Sequence, residues 1–115
     1  MKAAQVLNLI RREFLSVMEE VDVLAMPTTV SPAFPIDEPS PSSEEGSSAT
    51  ATRLTFPLNF MRTPAISVPC GFTSKGLPVG LMVAGRHWED DVVLRVAHAY
   101  EQAATGGYAI PPMAG

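Results

Sequence analysis

Cysteine, lysine and histidine are scarce in this 115-residue chain, and each scarcity closes off a kind of chemistry. Cys70 is the only cysteine, so an internal disulfide and a zinc site of several thiolates are both excluded. A reducing cytoplasm is the simplest setting for such a chain. Eight basic residues are thinly spread and the net charge is -4, so the clustered Lys and Arg that nucleic acid demands are missing. No apolar run approaches the roughly 20 residues that span a bilayer. Arg11, Arg12 and Glu13 interrupt the N-terminal stretch where a secretory peptide would be apolar, and no targeting segment is expected. There are two histidines, no Gly-rich phosphate loop and no metal-spaced cluster of His, Cys, Asp and Glu. Nucleic acid, membrane, metal and cofactor are therefore not expected as partners.

What is present is apolar: 46% of residues are hydrophobic and 17% charged, which suits one globular domain. The chain is organised around Thr63 to Arg86. Two runs rich in β-branched residues, Ala65 to Cys70 and Leu77 to Ala84, flank a turn-forming stretch from Gly71 to Gly76 and predict a β-hairpin. In the second run Leu77, Val79, Leu81 and Val83 share one face, while Pro78, Gly80, Met82 and Ala84 share the other. Neither face is polar, so the hairpin belongs in a sheet covered on both sides.

Before the hairpin, Val6, Leu7, Ile10, Phe14, Val17, Met18 and Val21 recur at helical intervals and predict an amphipathic helix over Lys2 to Glu20. Asp22 to Met26 reads as a short buried strand stopped by Pro27. Residues 31–51 are rich in proline and serine and read as a flexible loop. A helical turn or two is expected between Arg53 and Arg62, with Thr55 as N-cap and Pro57 in the first turn. After the hairpin, Glu89, Asp90 and Asp91 favour a helix N-terminus, and Gly106 and Gly107 end that helix. The composite is an α/β order of helix, strand, long loop, β-hairpin and helix.

Read residue by residue, the chain yields no catalytic centre. Cys70 and His98 make a conceivable nucleophile and base, yet Cys70 lies in an apolar strand without a basic neighbour, so an inert thiol is expected. Asp90 and Asp91 are accounted for by helix capping, and the loop serines have no adjacent His or Lys to activate them.

The run from Pro64 to Arg86, followed by Glu89 to Ala103, resembles the C-terminal part of the amidase signature family. Val21 to Thr28 and the segment Pro57-Leu58-Asn59 resemble the parts that precede it there. The resemblance implies a large mixed sheet with helices on both faces, of which this chain, residues 1–115, would be an incomplete C-terminal piece. It also implies hydrolysis of carboxylic amides by a Ser-Ser-Lys triad beside a Gly/Ser-rich oxyanion loop. Those parts find no match here: there is no Gly-Ser-Ser-Gly stretch, and Lys2 and Lys75 are the only lysines. By the same resemblance, Pro27, Thr28, Thr29 and Asn59 would approach a small amide substrate as a pocket wall, and the chain alone would be inactive. The expected partner is the missing N-terminal amidase portion, or a second copy, covering the sheet. A non-catalytic module that binds through an exposed sheet face is the alternative. The glutamine-using amidotransferases of the family favour an acidic residue about five positions before the proline of the Pro-X-Asn segment. Thr52 stands there, which favours a general amidase.

Overall fold

The computed structural model describes residues 2–37 and 52–105. Most of the Pro/Ser-rich loop and the expected cap at Gly106 and Gly107 lie outside the described residues. Among the described residues the elements follow in the order α1 (Ala3–Glu20), β1 (Leu24–Pro27), α2 (Phe56–Met61), β2 (Ala65–Phe72), β3 (Pro78–Ala84) and α3 (Asp90–Thr105).

The strands form one antiparallel sheet in the order β1-β3-β2, so the second arm of the hairpin is its centre. The hairpin closes at Thr73, whose hydroxyl accepts the amide hydrogens of Lys75 and Leu77. Gly76 completes the turn at φ 79°, a left-handed conformation that glycine adopts without steric cost. The strand predicted from Asp22 to Met26 begins two residues later and includes Pro27. β1 is an edge strand, where a proline without an amide hydrogen is tolerated. Asp22 instead pairs with Arg86 at 3.5 Å.

Register sorts the side chains into two faces. Ile66, Val83 and Ala25 lie abreast on one, with Val68, Leu81 and Pro27 beside them. Ala65, Ala84 and Leu24 lie abreast on the other, with Ser67, Met82 and Met26. On this second face Met82 and Ala84 form a core with Leu58 of α2, joined by Phe14, Leu24, Met26 and Leu54. Helix α3 lies along β2 and β3 and buries Val93 and Ala97. A Cβ at Gly85 would overlap Val93 Cγ2, so the chain enters α3 through a residue with no side chain.

Cover on both faces, expected from the apolar hairpin, is therefore present, but each layer reaches two strands of three. On the second face Ala65, Ser67 and Pro69 of β2 are exposed, and on the first Ala25 and Pro27 of β1 are exposed. The amphipathic helix expected over Lys2 to Glu20 is present as α1, but little of its apolar stripe is buried. Met18 is its one buried residue, whereas Val6, Ile10 and Val17 are 41%, 46% and 48% exposed. Helical periodicity fixes which side of α1 is apolar, not whether that side is covered.

Polar clasps join the layers at the Ala84 end. Arg86 Nε donates to the Met18 carbonyl at 2.6 Å and Nη2 to the Val21 carbonyl at 2.8 Å, occupying acceptors that the end of α1 leaves free. Arg11 Nε donates to the Phe60 carbonyl and His87 Nε2 to the Met61 carbonyl, both at 2.7 Å, which anchors the end of α2. Thr63 donates its hydroxyl hydrogen to the Gly85 carbonyl.

Candidate functional site

Beyond β1 the ladder continues for one residue, because the Thr28 amide donates to the Gly80 carbonyl at 2.9 Å. That bond aims the Thr28 side chain across β3. Its Oγ1 lies 2.5 Å from Ser67 Oγ on β2, so a hydroxyl from each outer strand meets above the middle one. Gly80 makes the meeting possible. A Cβ there would stand 2.7 Å from Ser67 Oγ and 2.8 Å from Thr28 Oγ1, inside the contact distance of both. Thr29 turns away, its hydroxyl donating to the Ser31 carbonyl at 2.8 Å.

Of the four expected wall residues, Pro27, Thr28 and Thr29 are consecutive, but only Thr28 turns onto the open part of the second face; Pro27 is exposed on the first. Asn59 does not join them. It sits exposed on α2, and no hydrogen bond among the described residues links its side chain to the Pro27–Thr29 segment. Thr55, expected to cap α2, instead donates its hydroxyl to the Thr52 carbonyl. Sequence reasoning missed Ser67. Its signal was available as a lone hydroxyl among the apolar residues of β2, but its partner is set by register.

Two concavities lie away from the Thr28–Ser67 pair, toward α1, α2 and the Ala84 end of the sheet. An apolar groove of 420 Å³ runs between α1, β1 and α2 over Ile10, Phe14, Leu24 and Met26, with Glu13 and Arg53 also lining it. A more polar one of 590 Å³ is lined by Arg62, Thr63, Pro64, His87, Trp88 and Asp90. Neither is lined by Thr28, Ser67 or Asn59.

The remaining candidates are separated. The Cys70 thiol donates to the Val79 carbonyl at 3.4 Å, at a bulge in β2. His98 is exposed on α3 with Glu101 3.9 Å away, and no hydrogen bond among the described residues joins it to Cys70. Asp90 and Asp91 lie in the first turn of α3, where the helix dipole favours them, and Asp91 pairs with Arg95 at 3.0 Å. Lys2 and Lys75 are both exposed, one at the start of α1 and one in the hairpin turn. Neither hydroxyl of the Thr28–Ser67 pair has a Lys or His partner, so the pair can bind and orient but lacks an activating base. Among the described residues no group of metal ligands converges, and no helix is long and apolar enough to cross a membrane.

An antiparallel sheet with helices on both sides, finished at one end and open at the other, makes this an α/β protein whose candidate site lies on the open part of one sheet face. Its family follows from comparison with known proteins. The family model described as Amidase matches residues 1–94, and the chain belongs to that family. It is 49% identical over 102 residues to the A subunit of glutamyl-tRNA(Gln) amidotransferase from Geobacillus thermodenitrificans, covering 89% of the chain and 20% of that protein. Against the same-named protein of Bacillus pumilus it is 44% identical, covering 97% and 22%. The crystal structure of the Thermotoga maritima counterpart superposes with a TM-score of 0.83 at 33% identity, over 93% of the chain and 24% of that structure. A peptide amidase from Stenotrophomonas maltophilia superposes at 0.59 with 30% identity, over 86% and 18%. The chain spans about a fifth of the length of the curated relatives it matches.

Proposed function

We propose that this chain is the C-terminal portion of an amide-hydrolysing protein of the family, buttressing the sheet and forming part of the pocket wall. The observation that carries the reading is the asymmetry of the match: nearly all of the chain aligns with about a fifth of each relative. In this reading the nucleophilic serine, its serine–lysine relay and the oxyanion donors belong to the rest of the protein. Residues 1–115 act as one unit of it, with the Pro/Ser-rich segment 31–51 as a flexible loop. Pro27, Thr28 and Thr29 face the amide substrate, with Asn59 approaching from α2. A single free cysteine suits a cytoplasmic setting.

Between a general amidase and an amidotransferase, identity favours the amidotransferase. Identity of 49% over 102 positions outweighs the single difference at Thr52. Two experiments test the reading. The purified chain should hydrolyse no simple amide and take up no serine-directed fluorophosphonate, and appreciable labelling would overturn it. Conversely, the matched segment of the Geobacillus thermodenitrificans protein, replaced by this chain, should leave amidotransferase activity within about tenfold of the parent. A folded but inactive exchange protein counts against the proposal.

A second reading is an interaction module that covers its open surfaces with another copy. The exposed apolar residues of α1, Val6, Ile10 and Val17, favour it. Sedimentation as a folded monomer at high concentration would eliminate it.

A further inference from the structure

We infer that Ser67 and Thr28 act as one hydroxyl pair that binds an acceptor oxygen of the amide substrate, with Gly80 holding the seat open. The inference rests on the pocket-wall reading above and adds to it a residue, a ligand chemistry and a mechanism. Each hydroxyl carries one hydrogen, and at 2.5 Å one of the two lies between the oxygens. The side chains make no other hydrogen bond among the described residues, so the second hydrogen is left to an incoming group.

Donation by one hydroxyl to the other polarises the second O–H and makes it the better donor. A carbonyl or carboxylate oxygen is the partner that completes the set, and both occur in the amide hydrolysis proposed here, as substrate and as product acid. The surroundings leave room for it. Ser67 is exposed together with Ala65 and Pro69, on the part of the second face that α1 and α2 do not reach. Gly80 beneath the pair contributes no atom that would fill the seat. A plain tie between β1 and β2 would use the same bond, so the test must separate binding from stability.

In the active exchange protein, Ser67→Ala and Thr28→Val should each raise KM by about threefold to tenfold, the worth of one neutral hydrogen bond. The loss should fall on KM far more than on kcat. Gly80→Ala, which pushes both hydroxyls off the seat, should reproduce it, and the double variant should be no worse than either single one because the pair acts as a unit. Ser67→Thr, which restores a hydroxyl on a residue suited to a strand, should recover most of the loss. Inhibition by the product acid should weaken in step with KM, whereas inhibition by the released amine should not change. Unchanged KM and product inhibition, with only a lower melting temperature, would make the pair a strand tie and overturn the inference while leaving the pocket-wall reading intact. A folded exchange protein without activity would overturn both.

Discussion

The two ends of β3 have similar composition and opposite fates. Met82, Val83 and Ala84 are 3%, 1% and 0% exposed, while Val79 is 37% exposed and Phe72, across the hairpin near its tip, is 50% exposed. The buried end has α1 and α2 on one face, α3 on the other, and Arg86 holding the end of α1 beside the entry to α3. The exposed end has the turn and the Thr28–Ser67 pair. Apolar sequence therefore marks where cover is needed, and burial marks where this chain supplies it. The candidate site lies where the first is present and the second is not.

The comparison breaks most readily at its buried end. Met82→Ala should cost about 2–5 kcal/mol, the range for removing a large core side chain, because Met82 packs between the β1 residues and Leu58. Urea denaturation of the chain reads the loss as a lower midpoint at similar slope. A loss below about 1 kcal/mol would mean that the α1 layer is not seated on the sheet in solution. Arg86→Ala should cost less, about 1–2 kcal/mol, because water can reach the Met18 and Val21 carbonyls once the guanidinium is gone. Hydrogen exchange should then speed up in the last turn of α1 while the amides of β3 stay protected.

Much of this division was legible beforehand, and the reason differs from element to element. The hairpin and its two faces follow from alternation between Leu77 and Ala84, because a strand sends successive side chains to opposite sides. The extent of α1 follows from the helical periodicity of its apolar residues. Periodicity reports only which side of α1 is apolar, and Ile10 and Val17 on that side are 46% and 48% exposed. The Arg86 clasp joins residues 65 and 68 positions apart, and no local pattern encodes it. Ser67 is the instructive case at the site. Thr28 was singled out by resemblance, but its partner is fixed by two strand registers and by the missing side chain of Gly80, which meet only in the folded sheet. Asn59, in a segment that resembles the family, is exposed on α2, and no hydrogen bond among the described residues joins its side chain to the pair.

The smallest expected effect gives the sharpest test, because it makes one chemical change at both ends of one strand. Val83 and Val79 point to the same face of β3, four residues apart, at 1% and 37% exposure. Valine to threonine keeps the shape and adds a hydroxyl. At Val83 that hydroxyl must lose its water among apolar neighbours, at a cost of about 1–3 kcal/mol. At Val79 it stays hydrated, and Val79→Thr should change the stability of the chain by no more than about 0.5 kcal/mol. Equal costs at the two positions would show that the tip is covered in solution, as a self-associated module requires. If the cost at Val79 rises toward that at Val83 only in the exchange protein, the cover comes from the rest of the amidase. That outcome would assign the open end of the hairpin to the larger protein rather than to a second copy of this chain.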